Sequence, residues 1–148
     1  MNTELYPKVY LYRRVVQAKL FIDEKYFEKI DLHNIADEAY FSKFHFIRLF
    51  KKIYGTTPHQ YLKLVRIEKA KQLLKDNVPV TETCYAVGCE SASSFSGLFK
   101  GVVGVSPSVY LAQQQQLKAA IAEAPLDYIP GCFAEKKGWV KKTTPKEQ

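Results

Sequence analysis

Cysteine is scarce in this chain: 148 residues include only Cys84, Cys89 and Cys132. Three thiols cannot pair completely, which argues against a disulfide framework and makes the cytosol the expected compartment. Long apolar runs are missing as well. No stretch approaches the roughly 18 to 20 consecutive apolar residues of a membrane helix, and the N-terminal MNTELYPKVYLYRR lacks the apolar centre of a signal peptide. Catalytic signatures are equally thin, since no nucleophile elbow, phosphate-binding glycine loop or carboxylate pair occurs in a catalytic context. His33, His45 and His59 stand without ligand partners at metal spacing. No catalytic residue, metal, cofactor, membrane contact or small-molecule ligand is expected, and the chain is not expected to be an enzyme.

Positive charge is plentiful. Lys and Arg total 22 against 15 Asp and Glu, a formal net charge of +7, which favours a polyanionic partner. Charge alone does not separate nucleic acid from an acidic membrane surface.

The chain also repeats itself. Leu32, Ile35, Ala36, Ala39 and Phe41 are matched 48 residues later by Val80, Thr83, Cys84, Val87 and Cys89. From Ser42/Ser91 the offset is 49, through Phe46/Phe95, Leu49/Leu98, Phe50/Phe99, Gly55/Gly104, Pro58/Pro107 and Tyr61/Tyr110. One residue has been inserted in a turn between two helices, so each copy reads as short helix, turn, second helix.

Helical spacing puts Phe46, Leu49, Phe50 and Ile53 on one inward stripe, and Phe95, Leu98, Phe99 and Val102 on its counterpart. Ser42 and Ser91 are expected N-caps, and Gly55 and Gly104 expected stops. Thr57-Pro58-His59-Gln60 has the pattern of a capping box and should open a helix running to about Asp76. Further helices are expected from about Lys8 to Glu28, with Leu11, Val15, Ala18 and Ile22 on one face, and from Pro107 to about Glu123. No alternating strand pattern is present. The expected fold is all-α: two tandem helix-turn-helix subdomains, 8–56 and 78–124, joined by a long linker helix, 57–77. Residues 125–148 read as a mobile tail whose Tyr128, Ile129 and Phe133 could dock on the body.

SKFHFIRLFKKIYGTTPHQYLKLVRIEKAKQLL and VTETCYAVGCESASSFSGLFKGVVGVSPSVYL together resemble the DNA-binding domain of the AraC/XylS transcription regulators. Gly88, Ser94, Phe95, Phe99, Lys100, Gly104, Ser106 and Pro107 match the family's second signature, and the likeness runs from about Val9 to Leu111. The length leaves no room for a sensor domain, so the chain is similar either to the short, MarA-like bacterial members or to a fragment excised from a larger regulator. The resemblance implies sequence-specific binding of double-stranded DNA and contact with, or blocking of, RNA polymerase.

If the apolar stripe faces inward, Phe44, Ile47, Arg48 and Lys51 face outward, with Lys43 and His45 on the flanks. Arg48 can donate two parallel hydrogen bonds to guanine O6 and N7, Phe44 and Ile47 suit thymine methyl groups, and Lys51 and Lys52 suit phosphates. The resemblance supports an aromatic residue and an Arg as base contacts at Phe44 and Arg48. In the second copy the same face carries Ser93, Ser96, Gly97 and Lys100, flanked by Ala92 and Ser94. Gly97 stands where the family usually has Arg, and Gly101 where it has a basic residue. Residues 42–54 carry four basic groups and no acidic one, whereas 79–104 carry Lys100 against Glu82 and Glu90, so the second head should read less sequence. On the linker, Lys63, Arg66, Lys69, Lys71 and Lys75 are candidates for phosphates, Arg66 at a basic position common in the family.

Each reading has a plainer alternative. The basic residues could form only a solvated helix face, or Phe44 and Ile47 could anchor another protein. Cys84 and Cys89, where the family has Ala and Phe, read as core residues, with a thiol sensor as the sharper option.

Overall fold

The computed structural model describes residues 5–31 and 43–138. The expected first short helix, with Leu32, Ile35, Ala36, Ala39, Phe41 and the cap Ser42, lies outside the described residues, as does the tail from 139 onward. Every regular element among the described residues is helical: α1 (Leu5–Lys25), α2 (Lys43–Tyr54), α3 (Pro58–Lys75), α4 (Val80–Ala86), α5 (Ala92–Val103), α6 (Pro107–Glu123), a 3-10 turn (Pro125–Tyr128) and α7 (Gly131–Lys136).

Local chemistry sets the boundaries. Thr57 Oγ1 accepts from the Gln60 amide at 3.3 Å and Gln60 Oε1 accepts from the Thr57 amide at 3.3 Å, satisfying two otherwise orphaned donors at the start of α3. Ser91 caps α5 and Ser106 caps α6 through amide bonds from Ser94 and Val109, both 3.3 Å. Helix α3 is closed off by Asn77, two residues past its end, whose φ of 65° lies in the left-handed region; the Val78 and Asn77 amides donate back to Leu73 and Leu74 O at 3.0 and 3.1 Å. With 18 residues, α3 is about 27 Å long.

Two cores share that helix. Val15, Ala18 and Ile22 of α1, Phe46 and Phe50 of α2 and Leu62 of α3 form the first. Ile67, Ala70 and Leu74 of α3 join Cys84, Val87, Phe95, Phe99 and Tyr110 in the second. Phe50 meets Tyr61 with ring centroids 5.8 Å apart, and the repeat partners Phe99 and Tyr110 meet at 5.4 Å. Asp23 of α1 accepts from the Tyr61 hydroxyl and pairs with Lys19 at 2.6 Å, pinning α1 to α3.

The inward stripe is displaced from the one expected. Ile53 and Val102 are exposed, while Tyr54 and Val103 pack against the cores. Each second helix is approached by Tyr61 or Tyr110 from one side, which moves the buried face toward its C-terminal tyrosine or valine. The segment read as a mobile tail is partly regular, since 125–128 and 131–136 are helical; Ile129 is half-buried, and Tyr128 and Phe133 are exposed.

Candidate nucleic-acid interface

Helices α2 and α5 bury their residues in the same order at all twelve aligned positions, from Lys43/Ala92 to Tyr54/Val103. Phe46/Phe95 and Phe50/Phe99 are buried; Ile47/Ser96, Leu49/Leu98 and Tyr54/Val103 are half-buried; the remaining positions are exposed. A shared pattern means that whatever one helix presents to solvent, the other presents in the equivalent orientation to its own core.

On α2 the outward surface consists of Phe44, His45, Arg48, Lys51 and Lys52, with Lys43 at the helix start. Phe44 is 73% exposed, so its ring is open to a partner on this cationic face. Among the described residues Arg48 Nε reaches its own helix, Phe44 O at 3.4 Å, a long and therefore weak bond. His45 and Lys52 also line a shallow depression with Leu11, Tyr12 and Leu49 on the α1 side. Ile47 departs from its expected place: it packs against the first core, because it lies on the flank nearer Phe50 than Arg48.

On α5 the same surface is formed by Ser93, Ser94, Gly97, Lys100 and Gly101, with Ala92 at the start and Ser96 half-buried. Ser94 is partly used by the helix itself, its hydroxyl lying 2.9 Å from Ser91 Oγ. A Cβ on Gly97 or Gly101 would meet no atom within 4 Å, so neither glycine is required by packing within the protein.

The linker cations divide. Lys63 is exposed, Lys71 is held by Glu68 at 3.3 Å, and Lys69 lies 5.8 Å above the Tyr26 ring. Arg66 is engaged within the protein: Nε donates to Tyr26 O at 2.8 Å and Nη2 to Glu28 O at 3.0 Å. Those carbonyls follow the C-terminus of α1, where the helix dipole attracts a cation. The chain spacing of 40 and 38 residues explains why sequence reasoning missed this use.

Cys84 is fully buried and Cys89 half-buried at the second core. Burial pushes both thiols upward; Cys84 adds to the rise at Cys89 and Arg66 offsets part of it. Both are therefore held as thiols at neutral pH, favouring the core reading over a thiol sensor. In the folded protein, iodoacetamide should modify the exposed Cys132 about tenfold or more faster than Cys84. Mass-spectrometric mapping showing equal rates would contradict this.

No helix among the described residues is long and apolar enough to cross a membrane, and no cluster of three or more His, Cys, Asp or Glu side chains with metal-binding geometry occurs among them.

Comparison with known proteins bears on the same region. A helix-turn-helix domain family matches residues 35–113. The HTH-type transcriptional activator AarP of Providencia stuartii is 33% identical over 97 residues, covering 65% of this chain and 72% of AarP. LumQ of Photobacterium leiognathi, a probable transcriptional regulator, is 34% identical over 91 residues, 61% of this chain and 37% of LumQ. The chain thus spans well under half of LumQ. Among solved structures, the DNA-binding domain of AdpA in complex with a target DNA is 28% identical, with a TM-score of 0.63 over 75% of this chain and 96% of that one. The matching exposure of α2 and α5 and these likenesses agree, and the chain belongs to the AraC-type helix-turn-helix family of transcription regulators.

Proposed function

We propose that this chain binds duplex DNA as a monomer, laying α2 in one major groove and α5 in the next on the same face. Through that contact it regulates transcription, recruiting or obstructing RNA polymerase at an adjacent promoter. The carrying observation is the pair of helices with matching exposure, the first bearing Phe44, Arg48, Lys51 and Lys52 outward. That surface combines the bidentate donor that suits guanine, an apolar ring for thymine methyl groups and cations for phosphates. Its chemistry is recognition rather than turnover. AdpA's DNA complex supports the reading by likeness of fold and sequence.

Selection from a random duplex pool followed by footprinting tests it. Because the two copies run in the same direction along one chain, the selected site should hold two unlike boxes about one helical turn apart. A strictly palindromic site bound only by a dimer, or no protected site, would overturn the proposal.

The α5 box should be the more degenerate. Gly97 occupies the position of Arg48, so Gly97→Arg should tighten binding by roughly 1 kcal/mol through a phosphate or guanine contact. Gly97→Ala is the control: it should raise folding stability by about 0.5 to 1 kcal/mol, through helix propensity, without that gain in affinity. Weaker binding by Gly97→Arg in a filter assay would mean that DNA needs a bare backbone there.

A further inference from the structure

The turn after α1 meets both units. Tyr26 packs against both cores. Arg66 of α3 binds the Tyr26 and Glu28 carbonyls, and Lys69, one turn further along, covers the Tyr26 ring. From the second unit, Gly88 presses on the same turn: a Cβ there would lie 2.7 Å from Phe27 O and 2.9 Å from Phe27 C. Gly88 also has φ +86°, closing the turn between α4 and α5 with the Cys89 amide bonded to Cys84 O at 3.1 Å. The turn leading into α5 is thus seated directly on the backbone that ends α1.

We propose that residues 26–28, Arg66 and Gly88 form a joint that fixes the orientation of α5 relative to α2 before DNA arrives, with Arg66 as a positioning residue. A shared helix alone leaves a second unit free to rock about it; a contact off the helix axis removes that freedom. Arg66 suits the task because its planar guanidinium spans two carbonyls at once, which an ammonium does not do with fixed geometry. Two heads held at one separation bind a correctly spaced pair of boxes with a high effective concentration and gain nothing from a misplaced pair. Only the DNA arm of the test rests on the two-groove reading above.

Arg66→Met removes both donors, and Gly88→Ala attacks the joint from the other side while leaving Arg66 intact. In DNA-free protein, NMR residual dipolar couplings of the two units should fit one alignment tensor for the unsubstituted chain and two for each variant. A single tensor with unchanged relative orientation in both variants overturns the joint, whatever the DNA results. If one variant fails to fold, the other decides. On DNA, the unsubstituted protein should prefer the selected spacing over one lengthened by two base pairs. Each variant should lose about tenfold of that preference while its affinity for an isolated α2 box stays within about twofold. A phosphate role for Arg66 gives a different result, namely weaker binding to the isolated box and a salt slope reduced by about one, which overturns the positioning role.

Discussion

Phe99→Ala is expected to remove about 3 to 5 kcal/mol of stability and, with it, the second reading head. The ring is fully buried between Phe95, at a centroid distance of 5.8 Å, and Tyr110, at 5.4 Å, so truncation leaves a cavity bounded by aromatic faces. Marginal domains hold only about 5 to 15 kcal/mol in total, and this core is one of two small ones. Because Ile67, Ala70 and Leu74 of α3 pack in the same core, the loss should spread into the C-terminal half of the shared helix. Thermal unfolding followed by circular dichroism should show a midpoint lowered by well over 10 °C, given about 4 to 8 °C per kcal/mol for units of this size. A drop below about 5 °C would show that the cavity collapses or that Phe99 contributes little. On the selected DNA, the footprint should shrink to the α2 box. Phe50→Ala is the mirror experiment, since Phe50 holds the equivalent place beside Tyr61 in the first core.

Arg48→Ala should do the reverse, leaving the fold intact and damaging recognition. Its side chain is exposed and, among the described residues, makes one long bond to its own helix, so stability should change by no more than about 0.5 kcal/mol. Loss of a bidentate guanine contact costs about 1 to 3 kcal/mol, or roughly 5- to 150-fold in affinity for the preferred site, and relaxes discrimination at one base pair. Changing each base pair of the selected site in turn locates that position. If discrimination between guanine and the other bases is unchanged at every position, Arg48 is not a base reader. Lys51→Ala is a useful companion, because a phosphate anchor should weaken binding to all sequences alike and lower the salt slope.

Much of the architecture was legible because it is written locally. Caps at Thr57, Ser91 and Ser106 depend on residues three positions apart, and helical periodicity places Phe46 with Phe50 and Phe95 with Phe99 whatever surrounds them. The offset of 49 carried the outward orientation of Arg48 to Gly97, since two helices with one apolar pattern must turn the same side from their cores. What periodicity could not supply was the centre of each buried face. Ile47 went inward and Ile53 outward because α1 and Tyr61 approach α2 from particular sides, and packing partners far along the chain decide that.

Arg66 and Gly88 show the limit most clearly. By sequence, one is a basic residue on a basic helix and the other a glycine in a turn. Their shared task depends on the backbone of residues 26–28, which approaches both only after α1, α3 and the second core have packed. A guanidinium is equally suited to a phosphate and to a pair of carbonyls, so the side chain's chemistry left its partner undetermined. Only the tertiary structure supplies the carbonyl partners, because folding brings the end of α1 within 2.8 and 3.0 Å of Arg66.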